Sequence, residues 1–198
     1  MPATAKDFNV NEIHQSQGDL WVIGTPPNDA TVRLSLFTDL SPDSTAHPSS
    51  IHLGAIASAV TVMIKPKVEP INLDQFDSPV DVFISQLDAK IEAELAQSEM
   101  QKLQRALGVG SYSTAAGYKQ VTFGGVAPVP TFCLAAISPK RTDPTKAIVA
   151  LLYRVSATGG IQITMSRQKT SFYKVEFTGL CDITRTAGKQ IGVVYETI

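Results

Sequence analysis

The chain has 198 residues, of which 43% are hydrophobic and 18% are charged. This length is enough to bury a core without disulfides or a metal. The charged fraction lies below the ~25% of a typical globular domain, which predicts that a partner covers part of the surface. A net charge of −1 leaves no overall basic excess that would draw the chain onto nucleic acid.

The first 67 residues predict short strands separated by turns. Leu20–Ile23 and Val32–Phe37 read as strands between clusters of proline, aspartate and serine. Residues 51–67 are β-branched and partly alternating, which predicts a longer strand. Pro66 is expected to end or bend that strand because proline cannot donate to a ladder, and residues 66–79 are expected to form a loop.

Residues 80–97 carry two opposing signals. Their alanines, glutamates, lysines and leucines favour a helix by propensity. Apolar and charged residues nevertheless alternate strictly, with Leu87, Ala89, Ile91, Ala93 and Leu95 set against Asp88, Lys90, Glu92 and Glu94. Because a helix would scatter these residues around its circumference, the pattern predicts a strand over 84–96 with one apolar and one charged face.

A short amphipathic helix is predicted over 98–107. Ser98 and Gln101 have the spacing of a capping box, and Gly108 stands where a left-handed terminator is expected. Met100, Leu103 and Leu107 recur with helical spacing. Residues 108–117 then read as a flexible loop, and the chain beyond it as strands near Lys119–Phe123, Thr131–Ile137, Ala147–Ser156, Ile161–Ser166, Phe172–Leu180 and Ile191–Glu196.

No arrangement of residues predicts catalysis, a cofactor or a metal site. The three histidines are isolated from one another and from both cysteines, whereas a metal site needs ligands that converge. Asp74, Asp77 and Asp81 lack the glycine and the distal glutamate of a calcium loop and are interpreted as turn formers. No glycine-rich phosphate loop or nucleophile motif is present, so the sequence favours a protein that is not an enzyme.

Cys133 and Cys181 lie in apolar runs without a CxxC pair. This pattern favours two buried free thiols over a disulfide. The N-terminus lacks the apolar region of a signal peptide, and no run of about 18 apolar residues predicts a membrane span.

Three stretches in order resemble the major tail tube proteins of long-tailed (siphophage-type) bacteriophages. The first combines Leu53-Gly54, the strand that follows, and the acidic segment 74–81. The second is the alternating strand 84–96 that leads into a helix ending Ala106-Leu107-Gly108. The third is the run from Phe172 to Asp182, closed by Gly188, Gly192, Tyr195 and Glu196. Together they span most of residues 51–198.

The resemblance implies one tail-tube-like domain over 1–198, a β-sandwich or barrel with one flanking helix and a loop-rich region 1–50. Such proteins form hexameric rings that stack into a tube with other tail proteins, and DNA passes through the lumen during ejection. The implied location is the virion tail, after assembly in the host bacterial cytoplasm. An acidic lumen wall would repel DNA phosphates, which suggests a lumen-facing role for Asp88, Glu92 and Glu94.

Two loops are expected to make contacts between rings. They are residues 66–79, with Asp74, Phe76 and Asp77, and residues 108–117, with Tyr112. The charged face of strand 84–96 has an alternative role, which is to meet solvent or to pair with the basic segment 140–174 of a neighbouring copy.

Other function classes stay open at this point. A tail terminator, a baseplate ring protein or a tube protein of an injection system would share the fold and differ in polymer length. A monomeric carbohydrate-binding β-sandwich would be expected to expose aromatic residues on one sheet face. The five tyrosines and single tryptophan are spread singly along the chain, which argues against that class.

Overall fold

The computed structural model describes residues 18–24, 50–72, 77–96, 99–124, 129–140, 143, 145–160 and 173–197. The expected mainly β fold with a short helix is confirmed for these residues. The predicted strands Val32–Phe37 and Ile161–Ser166 lie outside them. The elements are β1 (Asp19–Ile23), β2 (Ile51–His52), β3 (Thr61–Ile71), β4 (Asp81–Leu95), α1 (Met100–Leu107), β5 (Ser111–Ala115), β6 (Tyr118–Thr122), β7 (Phe132–Pro139), β8 (Ala147–Ala157), β9 (Tyr173–Gly179) and β10 (Gly192–Glu196).

Eight strands form one antiparallel sheet in the order β2-β1-β7-β8-β9-β4-β3, and β10 pairs with β8 beside this path. The sheet that the described residues form is open and does not close into a barrel. Strands β5 and β6 form a separate hairpin. Because β1 and β10 belong to the same sheet, residues from both ends of the described chain share one framework.

The sheet forks at β8. One edge of β8 pairs with β7, so β9 and β10 must share the other edge. β10 takes residues 148–152 and β9 takes residues 155–157. Between them the Tyr153 N–H donates to the Ile191 carbonyl at 3.1 Å, and the Leu180 N–H donates to the Arg154 carbonyl at 2.7 Å. Two branches therefore leave the centre of the sheet, one ending in β10 and the other in β9, β4 and β3.

Both faces of the central strands are buried. The helix-side face is covered by Leu103 and Ala106 of α1 and holds the largest cluster, whose sheet members are Leu20, Val22, Ala89, Ile91, Ala93, Leu95, Leu134, Ala136, Ala150, Leu152, Val155, Tyr173, Val175 and Phe177. The opposite face holds Ile23, Cys133, Ala135, Ile137, Ala147, Val149, Leu151 and Tyr153. Near-continuous burial on both faces explains why β7 and β8 read as unbroken apolar runs.

The alternating segment is a strand, as its periodicity predicts. In β4, residues Ala89, Ile91, Ala93 and Leu95 are buried while the charged residues between them face the other side. Pairing with both β3 and β9 outweighs the helix propensity of its alanines and glutamates, because burying one apolar face against the core contributes more than intrinsic preference.

Pro66 does not end the strand in which it lies. Strand β3 continues through Pro66 and Pro70 to Ile71, so the predicted loop 66–79 is shorter than expected. β3 is the last strand of the sheet order, and an edge strand tolerates proline because one side of its backbone has no ladder to complete. The predicted single strand 51–67 is also divided, since β2 ends at His52 and β3 begins at Thr61.

The helix matches the prediction at its C-terminus but not at its N-terminus. Its N-cap is Glu99, which makes no side-chain capping bond, and Ser98 of the expected capping box lies outside the described residues. At the other end Gly108 adopts a left-handed φ of 64° as predicted. A Cβ at Gly108 would lie 2.7 Å from the Cβ of Ala157, so the glycine both terminates α1 and lets it approach β8.

Residues 108–117 were expected to be a flexible loop, and this prediction is wrong. Residues 111–115 form β5, which pairs with β6 across the Ala116-Gly117 turn. Gly117 has a φ of 93°, a conformation that glycine adopts without steric cost. Ser111, Ser113 and Thr114 are all exposed on a two-stranded hairpin, so the sequence pattern does not distinguish this strand from a polar loop.

A substitution of Phe177 tests how much the core on the helix-side face contributes to stability. Its side chain is fully buried and meets Phe132 edge to face at 5.8 Å. We expect Phe177→Ala to lower the free energy of unfolding by about 3–5 kcal/mol, measured by denaturant titration. Lys174→Ala on the exposed face of the same strand should change it by at most about 1 kcal/mol. Equal losses in the two variants would contradict this account of the core.

Candidate assembly surface

Strands β3 and β4 form a ribbon that extends past the rest of the sheet. They pair from Thr61↔Glu92 to Ile71↔Asp81, whereas β9 pairs only with residues 90–95 of β4. At about 3.3 Å per residue, β3 is roughly 36 Å long. The part beyond β9, residues 64–71 of β3 and 81–88 of β4, is called the arm below.

One face of the ribbon is apolar along its whole length. Cross-strand partners in an antiparallel pair lie on the same face, and the register gives the pairs Val62↔Ile91, Ile64↔Ala89, Pro66↔Leu87, Val68↔Ile84 and Pro70↔Val82. Ala89 and Ile91 belong to the buried helix-side cluster. The apolar face of the arm is therefore a direct continuation of the core into solvent.

A β-bulge maintains this face. The pairing shifts between Lys67 and Val68, where the partner changes from Gln86 to Ile84 and leaves Ser85 as an extra residue in β4. Strict alternation would place Val82 and Ile84 on the same side as Asp88. The extra residue moves them to the side of Leu87, so the apolar face stays continuous past the bulge.

The arm exposes this apolar surface instead of burying it. Ile84 is 64% exposed and Val82 is 59% exposed, and Ile64, Val68 and Leu87 are exposed as well. A two-stranded hairpin alone is at best marginally stable in water. Contiguous exposed apolar patches of this kind mark interaction sites, so the arm has the composition of a surface that another molecule covers.

The outer edge of β3 is unsuited to pairing with another strand. Because Pro66 and Pro70 cannot donate to the β3–β4 ladder, their nitrogens occupy positions directed away from β4, and the outer edge loses two donors. Prolines at such positions protect edges from adding a further strand. The arm is therefore better suited to docking through its apolar face than through the edge of β3.

The other face of the ribbon carries charges. Lys90 donates to Glu176 at 2.7 Å, Lys174 lies 3.2 Å from Glu92, and Lys67 lies 3.3 Å from Glu69. Carboxylates outnumber lysines on this face, and the full set is Asp81, Asp88, Glu92, Glu94, Glu69 and Glu176 against Lys65, Lys67, Lys90 and Lys174. Met63, Ile71 and Phe83 share the face.

The Lys90–Glu176 pair joins β4 to β9 at the base of the arm. The hydrogen bond from Lys90, and then the charge of that ammonium, lower the pKa of Glu176. The same hydrogen bond and the carboxylate charge raise the pKa of Lys90. The pair is thus held in its charged form across the neutral pH range.

The structure brings three of the predicted site residues together. Asp88, Glu92 and Glu94 lie on the charged face of β4, as the alternation predicts. They are interleaved with lysines, so the face is a mixed ladder with a small acidic excess instead of an acidic wall. Whether it faces a lumen stays a prediction.

The predicted ring-stacking residues are separated. Asp77 is exposed in the connection between β3 and β4, at the far end of the arm, while Asp74 and Phe76 lie outside the described residues. Tyr112 lies on β5 in the hairpin beside α1, where its hydroxyl accepts a hydrogen bond from Thr114 at 3.0 Å. Asp77 and Tyr112 thus belong to different parts of the fold.

Several basic residues of the segment 140–174 pair within the chain. Lys140 contacts Glu196, Lys146 lies 3.8 Å from Asp143, and Lys174 pairs with Glu92. Arg167 and Lys169 lie outside the described residues. The described part of this segment is therefore partly neutralised internally, which weakens the alternative that it pairs with the acidic residues of a neighbouring copy.

The two cysteines differ from the prediction in one respect. Both are free, but only Cys133 is buried, and Cys181 is exposed just after β9. Burial raises the pKa of Cys133 to about 12, so its thiol stays protonated and unreactive.

An apolar groove lies between the two branches of the sheet. Its volume is about 240 Å³, and its walls come from the base of the ribbon, from β8 and from the segment 188–194. The side chains that line it are mostly aliphatic and include Val62, Ile64, Leu87, Leu152, Ile191 and Val194. Val194 on β10 lines the groove and is 52% exposed.

The sequence reading missed the apolar residues of the arm. Val68 falls in the segment that Pro66, Pro70 and Pro79 predict to be a loop, and Val82 lies between that loop and the predicted strand 84–96. Ile84 begins the predicted strand, but strict alternation places it on the charged face. The alternation of Val62, Ile64 and Val68 indicates that the strand continues, whereas proline predicts that it ends. Only the edge position of β3 explains why the strand continues.

Among the residues that the structure describes, no three histidines, cysteines or carboxylates converge on a possible metal position. Within the same residues no helix is long and apolar enough to cross a bilayer. No protein-family model and no curated protein matches the chain.

The Lys90–Glu176 pair makes a pH-dependent contribution to stability. A carboxylate whose pKa is lowered in the folded state stabilises the fold above its unfolded pKa, and this contribution disappears as the pH falls through the folded value. We expect Glu176→Gln to flatten the acid side of a plot of Tm against pH. Glu94→Gln, on the same face but with no ion-pair partner among the described residues, should leave that slope unchanged. A slope in Glu176→Gln equal to that of the parent protein would contradict the assignment.

Proposed function

We propose that this protein is a structural subunit that self-assembles into stacked hexameric rings and forms the tail tube of a bacteriophage, through which DNA is ejected. The observation that carries the proposal is the arm, an amphipathic ribbon whose apolar face extends the core into solvent. An isolated molecule gains nothing from exposing this face, whereas a subunit covers it with a neighbouring copy.

The geometry of the arm favours a repeating assembly. The arm projects from one side of the chain, and we propose that the surface that covers it lies elsewhere on a second copy. Such a contact is heterologous, so it generates either a closed ring or an open filament. The sheet formed by the described residues is open, and we expect contacts between copies to use the apolar face of the arm, because Pro66 and Pro70 protect the edge of β3.

The charged face supports the lumen role by its composition. Its carboxylates and lysines form a ladder of ion pairs with a small acidic excess. A wall of this kind offers phosphates no cluster of free cations, so DNA would pass it without the counterion release that drives binding. Asp88, Glu92 and Glu94 are proposed to face the lumen on this basis.

The nearest alternative within the same class is a protein that stops at one ring, such as a tail terminator or a baseplate ring protein. Polymer length separates the two, because a tube protein continues to stack. A carbohydrate-binding module finds no support in the described residues, since the exposed aromatic residues Phe83, Tyr118 and Phe123 lie on different elements and form no common platform.

The role of the apolar face in assembly can be tested by introducing one charged side chain there. Ile84→Lys places an ammonium on the apolar face and should weaken each subunit contact by about 2–3 kcal/mol, on the order of 30- to 150-fold in affinity. Gln86→Lys adds the same charge two residues away on the charged face and should preserve assembly. Light scattering for mass and electron microscopy of a concentration series measure the outcome. Equal assembly of the two variants would refute the role of this face.

The bulge provides an independent test of the same face. Deleting Ser85 removes the extra residue but leaves Val82 and Ile84 on the apolar face, so assembly should persist. Inserting a serine between Lys67 and Val68, combined with Pro70→Thr so that no proline nitrogen turns towards β4, also removes the bulge, but it transfers Val68, Val82 and Ile84 to the charged face. We expect this insertion to abolish assembly while circular dichroism and the unfolding transition stay close to those of the parent. Assembly by the insertion variant would contradict the proposal.

A further inference from the structure

We propose that the groove between the two branches of the sheet is the receptor for the arm of a second copy, and that Val82 and Ile84 of that arm fill it. This inference rests on the proposed self-assembly and adds the partner surface. The groove is lined by aliphatic side chains of the ribbon base, β8 and β10. It is the apolar counterpart that the exposed face of the arm requires.

The size of the groove fits two aliphatic side chains. An apolar cavity of roughly 150 Å³ holds one benzene molecule, and the groove measures about 240 Å³. Val82 and Ile84 lie two residues apart on one face of β4 and are more exposed than Ile64, Val68 or Leu87 of that face. A strand places such i, i+2 side chains about 7 Å apart on the same side, so both can enter one groove together.

The arm cannot fill the groove of its own chain. Leu87 lines the groove, and Ile84 and Val82 lie about 10 and 17 Å farther along the ribbon. The arm is paired with β3 from Ile71↔Asp81 to Pro66↔Leu87, so it does not fold back on itself without breaking that ladder. The occupant must therefore come from another molecule.

The charges at the two surfaces are complementary. The far end of the arm carries the exposed carboxylates Asp77 and Asp81, and the rim of the groove carries the exposed ammonium of Lys189. The described residues supply none of the three with an ion-pair partner. An arm that enters the groove brings its acidic end towards this lysine, which favours a second copy of this chain over a neutral or basic partner.

The contact would be tested by intermolecular disulfide formation in a Cys181→Ser background, since Cys181 is the exposed native thiol and Cys133 is buried. Ile84→Cys combined with Val194→Cys should give a ladder of covalent oligomers on mild oxidation. Each single variant should give at most a dimer. The pair Ile84→Cys and Tyr118→Cys serves as a matched control, because Tyr118 is 58% exposed but lies on the β5–β6 hairpin away from the groove.

The outcomes separate this inference from the proposed function. A ladder specific to the Ile84–Val194 pair supports the groove as the receptor. Oligomers seen by light scattering, but with no more crosslinking than in the control pair, would overturn the groove assignment and leave self-assembly standing. A monomer at all concentrations, with no crosslinking, would overturn both. Val194→Asp should reduce assembly at least tenfold while the unfolding transition stays unchanged, which excludes a folding defect as the cause.

Discussion

The apolar face of the β3–β4 ribbon runs from the buried core into solvent without interruption, and the rest of the structure is arranged around this continuity. At its base the face packs against α1 and against β9 through residues such as Ile91 and Phe177. Farther out the side chains of the same face are exposed, with Ile84 at 64% and Val82 at 59%. A ribbon anchored at one end by a core gains enough rigidity to hold its apolar residues in solvent, which a free hairpin would not.

The bulge at Ser85 is the device on which this continuity depends. Side chains alternate between the two faces of a strand, so a shift of one residue in the pattern exchanges the faces. The sequence of β4 contains such a slip between Leu87 and Ile84, and the extra unpaired residue absorbs it. Bulges also increase local twist, so the same residue changes the direction of the arm beyond Leu87.

In the proposed assembly the two faces of the ribbon have different roles. The apolar face supplies affinity through burial, while the charged face is already satisfied by cross-strand pairs such as Lys90–Glu176. Those exposed pairs add little stability individually. They keep the charged face hydrated, so it does not bind the apolar surface of a partner. The ribbon therefore docks through its apolar face alone. The fork of the sheet at β8 forms a groove on the same chain that is apolar like the face of the arm.

Much of the fold could be read from local patterns. Strict alternation identified β4 against its helix propensity, Gly108 marked the end of α1, and continuous apolar runs located β7 and β8, because each of these signals depends on residues close together in the chain. The wrong predictions concern segments whose structure depends on strands distant in the chain. Pro66 and Pro70 look like terminators until β3 is known to be an edge strand, and residues 111–115 look like a loop until β6 pairs with them.

The candidate assembly surface is likewise predictable from the sequence in one part and not in the other. The sequence by itself determined the charged face, with Asp88, Glu92 and Glu94 on one side of a strand, because a period of two fixes which side chains share a face. Only the tertiary structure decided where Val82 and Ile84 point, because the bulge exists only in the register between β3 and β4. It alone also decided the groove, whose walls come from residues 62 to 194, brought together by a forked sheet that no local pattern encodes.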